Sequence, residues 1–158
     1  MRIILIAIVI SLTASFAHAS KSSKTPYFAS IRASKANIRT GPSVRYPIQW
    51  VYVKPQWPVE VTATFERWRK IKDKSGELGW IHESLLTGKR NVIVNANGVQ
   101  EIYRLPIHTS SVVAIVENGV LAELVSCKSK WCKVQLEKEE GWIESKFLWG
   151  TKENENAN

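Results

Sequence analysis

The sequence predicts an all-β protein made of two tandem small β-barrels behind an N-terminal signal peptide. Three observations carry this. Short runs rich in Val, Ile, Trp, Tyr and Thr alternate with turn residues, as at Gln49 to Val53, Val59 to Phe65, Trp68 to Lys72, Val112 to Val116, Leu121 to Val125 and Trp131 to Leu136. No window holds a sustained helical period. The chain also repeats itself at a spacing near 60 residues.

The repeat is read from matched positions. Gly79-Trp80-Ile81 returns as Gly141-Trp142-Ile143, and Leu86 and Gly88 return as Leu148 and Gly150, all at an offset of 62. Upstream, Glu60, Trp68, Lys70 and Ile71 match Glu123, Trp131, Lys133 and Val134 at an offset of 63. The one-residue change falls at Lys74-Ser75-Gly76-Glu77, a hairpin turn, where a deletion is tolerated. Each unit is a set of short strands joined by turns, which fits a small, partly open barrel.

The first residues follow a different logic. Arg2 precedes the apolar run Ile3 to Ile10, and Ala17-His18-Ala19 before Ser20 is an A-x-A cleavage signal. The apolar stretch falls short of the roughly 18–20 residues that a membrane span needs, so cleavage between Ala19 and Ser20 is favoured over a retained anchor. The resulting expectation is an exported protein of the periplasm or cell envelope, with no stable membrane span after cleavage. Its parts are a signal peptide (1–19), a flexible leader (20–27), a first module (28–90), a second module (91–150) and a disordered polar tail (151–158). No Gly/Ser or Pro-rich linker separates the modules; Thr87-Gly88-Lys89-Arg90-Asn91 is the only punctuation, so they are expected to touch.

Charge is uneven. Residues 28–90 hold 12 Lys/Arg and 5 Asp/Glu (+7), whereas residues 91–150 hold 6 Lys/Arg and 7 Glu (−1). A basic face favours anionic partners, and export sets nucleic acid aside. The chain has two cysteines, Cys127 and Cys132. In a secreted protein an even count suggests a bridge. Ser126 to Val134 reads as strand, turn, strand, and opposed residues of such a hairpin lie within disulfide reach. A reduced metal pair is the competing reading, but two ligands do not complete a four-coordinate site.

Several phrases together carry a family resemblance. Ala36-Asn37-Ile38-Arg39-Thr40-Gly41-Pro42-Ser43 resembles the N-[VIL]-R-x-G-P-S signature of bacterial SH3-like (SH3b) domains, with Tyr46-Pro47-Ile48 following at the usual place. Trp68-Arg69-Lys70-Ile71 and Gly79-Trp80-Ile81 are similar to the family's W-x-K-V and G-W-V strands. Trp50 to Pro55 in the first unit, and Ser126-Cys127 through Trp131-Cys132-Lys133-Val134 in the second, resemble the paired-module subtype of Gram-negative bacteria. The resemblance spans about residues 28–150 and implies small SH3-like barrels that bind cell-wall material or peptides. The second unit departs from it, with Ile102-Tyr103-Arg104-Leu105-Pro106 where the R-x-G-P-S phrase belongs.

The repeated Trp68/Trp131 and Trp80/Trp142 are expected to fill the two cores. The non-repeated aromatics make better ligand contacts, so the candidate surface is Arg39, Tyr46, Trp50, Tyr52 and Trp57 on the first module, beside its excess positive charge. Packing of Trp50 and Trp57 against the second module is the equal alternative. No constellation for catalysis is found. A Cys–His peptidase of the kind fused to such modules needs a free thiolate beside a His. Here the cysteines are committed to each other, and His82 and His108 lie in different modules. There is no H-E-x-x-H, G-x-S-x-G or phosphate-cradling loop. Asp73 reads as a solvated turn residue and Glu139-Glu140 as a solvated pair. The sequence thus predicts a non-catalytic binding protein without cofactor, its partner peptidoglycan or a wall-associated peptide. The alternative is an interaction protein that docks another envelope protein through its basic module.

Overall fold

The computed structural model describes residues 24–152 and Glu155. The expected signal peptide and the Ala19–Ser20 cleavage point lie outside the described residues. The described residues form fourteen strands in two sets of seven. The first set is β1 (Tyr27–Ile31), β2 (Ala36–Arg39), β3 (Ile48–Tyr52), β4 (Pro58–Phe65), β5 (Trp68–Lys72), β6 (Leu78–His82) and β7 (Leu86–Thr87). The second set is β8 (Asn91–Val94), β9 (Gln100–Tyr103), β10 (Val112–Val116), β11 (Leu121–Lys128), β12 (Trp131–Gln135), β13 (Glu140–Glu144) and β14 (Leu148–Trp149). Single 3₁₀ turns, Glu83–Leu85 and Ser145–Phe147, precede β7 and β14.

The two sheets have one topology. The first runs β3-β2-β6-β5-β4-β1-β7 and the second β10-β9-β13-β12-β11-β8-β14. The pairings given by the register are antiparallel, and none joins β3 to β7 or β10 to β14 among the described residues, so each expected barrel is an open seven-stranded sheet. The one-residue slip of the repeat sits where the sequence placed it. In the first turn Asp73 N–H donates to the Glu77 carbonyl, 3.1 Å; in the second Leu136 N–H donates to that of Glu139, 2.8 Å, closing a span one residue shorter.

Strand alternation decides what is buried. The first core is Ala29, Ile31, Ala36, Ile38, Val59, Val61, Ile71 and Ile81; the second is built around Val92, Val94, Ile102, Leu124, Val134 and Ile143. Both are mainly aliphatic, which corrects the expectation that the repeated tryptophans fill them for Trp68, Trp80 and Trp142. Gly79 and Ile81 point into the first core, so Trp80 between them faces the other way. Lys70 pairs with Trp80 and Trp68 with His82 on that opposite face. Trp68, Trp80 and Trp142 are half-buried, and Trp131 alone of the four is buried.

Short β modules are marginal alone, and here they are fastened to each other. Ser30, fully buried on β1, accepts hydrogen bonds from the Asn91 backbone N–H and the Asn91 side-chain amide, each 3.1 Å. Phe28 meets Trp149 edge-on at 5.4 Å, and the Arg90 guanidinium lies 5.4 Å from the Phe28 ring centre. Arg90 also pairs with Glu155 through two nitrogens, at 2.7 and 3.1 Å. The modules touch through buried, hydrogen-bonded and aromatic contacts. In the predicted disordered tail, Glu155 is thus pinned, its carbonyl also accepting from Cys127 N–H at 2.7 Å.

Candidate functional site

The predicted signature phrase forms the loop between β2 and β3. Thr40 N–H donates to the Pro47 carbonyl (3.1 Å), Ser43 N–H to that of Gly41 (2.9 Å) and Tyr46 N–H to that of Ser43 (3.2 Å). Arg39 closes it from the strand side, its Nη1 donating to the carbonyls of Val44 (3.0 Å) and Tyr46 (2.8 Å). A guanidinium bound this way is a loop staple, because the two N–H groups of Nη1 can each serve one carbonyl. Tyr46 lies over Gly41 so closely that a Cβ there would stand 2.6 Å from its ring. The glycine is therefore demanded by the ring above it.

The five candidate residues have different settings. Tyr46 is 47% exposed and lines a cleft of about 410 Å³ with Pro42, Ser43, Arg45 and Phe65. Trp50, Tyr52 and Trp57 instead pack onto the first module's own core. Trp50 covers Gly79, whose Cβ would lie 2.9 Å from the indole and 2.3 Å from Ile38 Cγ2. Trp50 and Tyr52 meet edge-on at 6.3 Å, and Lys54 Nζ sits 5.1 Å from the Trp57 ring centre. The Tyr52 hydroxyl donates to Asp73 Oδ2 at 3.3 Å; burial first, then the Asp73 carboxylate, pushes it well above the ordinary tyrosine range. Asp73 also accepts from Ser75 Oγ (2.7 Å) and Glu77 N–H (2.9 Å), so it organises its turn rather than merely facing water. Sequence reasoning missed Arg45 and Phe65. Arg45 is signalled by its place beside Tyr46, whereas nothing local marks Phe65 as a neighbour of that loop.

The second module builds the same loop without the signature. Arg104 N–H donates to the Ser111 carbonyl (2.9 Å), Ile107 N–H to that of Leu105 (2.8 Å) and Ser110 N–H to that of Ile107 (3.2 Å), which are the three bonds of the first loop shifted by 64. Leu105 stands where Gly41 does, and Ser110 where Tyr46 does. With no ring overhead, no glycine is needed. Arg39 is replaced by Tyr103, since Arg39 pairs with Trp80 and Tyr103 with Trp142. Tyr103 meets His108 edge-on at 5.6 Å and Trp131 at 5.7 Å. His108 Nε2 lies 3.1 Å from Glu144 Oε1, and Lys146 Nζ 3.0 Å from Glu144 Oε2. The Tyr103 hydroxyl donates to Glu101 Oε2 at 2.5 Å, and this bond raises its titration above the usual value.

Two further groups bear on chemistry. Cys127 and Cys132 are joined as a disulfide across the β11–β12 hairpin, their Cα atoms 4.0 Å apart and paired in register, so the metal-pair reading falls away. His82 stacks edge-on with Trp68 at 5.5 Å, and its Nδ1 caps the 3₁₀ turn by accepting from Ser84 N–H at 3.3 Å. Among the described residues no helix is long and apolar enough to cross a membrane.

The repeated seven-strand frame, with a hydrogen-bonded loop between the second and third strand of each, defines a tandem SH3-like protein. The family model of the bacterial SH3 domain matches residues 32–88 and again 96–150, and the chain belongs to that family. No curated protein matches it. Solved structures similar to it include NlpC1 from Trichomonas vaginalis, 14% identical with a TM-score of 0.37 over 89% of this chain and 50% of that one. NlpC2 from Trichomonas vaginalis is 11% identical with a TM-score of 0.37 over 81% of this chain and 49% of that one. An NlpC/P60 family protein from Bacillus cereus ATCC 10987 is 14% identical with a TM-score of 0.34 over 80% of this chain and 57% of that one. The chain thus spans about half the length of these proteins.

Proposed function

We propose that the protein is a non-catalytic binding protein of the cell envelope whose first module holds peptidoglycan or a wall-associated peptide. The observation that supports it is the cleft at the β2–β3 loop, where the exposed Tyr46 ring and Phe65 stand beside Arg45 in a module of net charge +7 over residues 28–90. An aromatic face next to a guanidinium suits both a sugar ring and a carboxylate-bearing peptide. Membership of the bacterial SH3 domain family fits the same reading, as does the predicted export. The ligand surface is therefore redrawn as Pro42, Ser43, Arg45, Tyr46 and Phe65. Arg39 shapes the loop, and Trp50, Tyr52 and Trp57 support it from the core.

Purified sacculi test this directly. Wild-type protein should cosediment with them, and less so as salt is raised, because exposed charges are screened. Tyr46→Ala should lose most of that binding at an unchanged melting temperature. Trp57→Ala should instead lower the melting temperature. Full sacculus binding by Tyr46→Ala would overturn the assignment. Docking of another envelope protein is the second reading, favoured by the same basic face, and predicts capture from envelope lysate without cosedimentation.

A further inference from the structure

We propose that the second module carries a separate site for a primary ammonium group, in the cleft of about 260 Å³ lined by Val99, Glu101, Tyr103, His108, Glu144 and Phe147. The proposal goes beyond the reading above and stands whether or not the first module binds wall material.

The same address differs in charge between the two modules. The register and loop bonds equate Lys35, Asn37, Arg39, Val44, His82 and Leu85 of the first module with those six residues. Counting Lys, Arg, Asp and Glu alone, the lining changes from two positive charges to two negative ones. The frame therefore needs neither carboxylate here. All six positions change, Lys35 to Val99, Asn37 to Glu101, Arg39 to Tyr103, Val44 to His108, His82 to Glu144 and Leu85 to Phe147, and together they turn a cationic position into an acidic and aromatic one.

The chain already places an ammonium against the cleft's Glu144. Lys146 Nζ lies 3.0 Å from Glu144 Oε2 and 4.7 Å from the Phe147 ring centre. A cation beside a carboxylate and near an aromatic ring is favourably solvated by both. Lys146 has no counterpart in the first module, where Ser84 stands. Glu144 is the fixed part of the pair. Its side chain is 11% exposed, whereas those of His108 and Lys146 are 57% and 61% exposed. A carboxylate so buried needs a cationic or hydrogen-bonding partner, and Lys146 reaches it from solvent and can leave while His108 stays packed against Tyr103 and Trp131. The aromatic wall is held firmly, because Tyr103 is bonded to Glu101 and set edge-on against His108 and Trp131. An incoming ammonium would take the place of Lys146 against Glu144, with Glu101 as a second carboxylate on the cleft wall. The ligand class is a peptide with a free primary amine.

The test is a titration of ¹⁵N-labelled protein with an N-acetylated, C-amidated Ala-Lys dipeptide, and with the same dipeptide acetylated on the lysine side chain. The free amine should shift the backbone signals of Tyr103, His108, Glu144 and Phe147, and the acetylated form should bind about tenfold more weakly or less. Glu144→Gln should lose about tenfold in affinity. Glu101→Gln, at an exposed position that the frame does not need, should weaken binding while the rest of the spectrum stays native. Lys146→Ala should tighten it, as the competing internal cation is gone. Equal responses to the two dipeptides, or shifts absent from the four residues, would overturn the proposal. So would unchanged affinity in both Glu101→Gln and Lys146→Ala.

Discussion

The two modules share a strand order, a loop with the same three backbone bonds and a 3₁₀ turn before the last strand, yet their chemistry diverges wherever the frame leaves a side chain free. At the loop, Gly41 under Tyr46 becomes Leu105 beside Ser110. At the hairpin, the register that pairs Thr64 with Arg69 in the first module pairs Cys127 with Cys132 in the second. At the strand that faces the loop, His82 becomes Glu144. What does not change is the contact of Gly79 with Ile38, repeated as Gly141 with Ile102. The comparison separates residues that hold the frame from those that a binding function can vary.

The sharpest way to break the shared part is at those glycines. A Cβ on Gly141 would stand 2.6 Å from Ile102 Cγ2 and 2.8 Å from the Tyr103 carbonyl oxygen, and backbone cannot move aside as a side-chain end can. Gly141→Ala and Gly79→Ala should each cost about 3 kcal/mol, seen as a large drop in melting temperature. Gly88→Ala, with nothing within 4 Å, is the control and should melt near wild type. A small effect at either buried glycine would mean that the frame is more plastic than the repeat implies.

A smaller effect is expected from the covalent difference. The cysteines are separated by five positions, and closing so short a loop stabilises by about 2 kcal/mol in the chain-entropy account. Reduction, or Cys127→Ser with Cys132→Ser, should lower the second module's resistance to denaturant and leave the first module's loop signals unmoved. Equal loss in both modules would show that the Ser30–Asn91 seam couples them into one unfolding unit.

The smallest effect is a pH dependence confined to the first module. The hydrogen bond from Arg67, with Arg69 beside it, holds the Glu83 carboxyl below its ordinary value of about 4.5. A carboxyl depressed on folding contributes stability that is present above that value and is lost as pH falls through the folded one. Glu83 is a third exposed, so solvent screening limits this to less than about 1 kcal/mol. Glu83→Gln should flatten the acid limb of the first module's melting curve by that amount, as read by chemical denaturation at low pH. An unchanged limb would place the acid sensitivity elsewhere.

Much of the fold was legible because strand signals are local. The six strands read from the sequence all exist, three with ends shifted by one residue and β11 running three residues further to Lys128; the slip in the repeat sits in a hairpin turn, since a turn absorbs a lost residue without shifting any side chain to the other face. For Trp80 and Trp142 the core assignment failed for a reason also present in the sequence: each lies between a buried Gly and a buried Ile, and a period of two cannot bury all three. The candidate site was half legible. Tyr46 is exposed, but Arg39 is taken up by loop carbonyls, and Trp50, Tyr52 and Trp57 pack partly onto their own core.

By itself the sequence determined the all-β class, the repeat, the disulfide hairpin and the placement of charge, because each follows from neighbours along the chain or from counting. Tertiary structure alone decided which aromatics face water, that Phe65 meets the Tyr46 loop, and that Glu101, Tyr103, His108, Glu144 and Phe147 share one cleft. Those residues come from β9, the loop after it, the end of β13 and the 3₁₀ turn, and only the pairing of β13 against β9 brings them together.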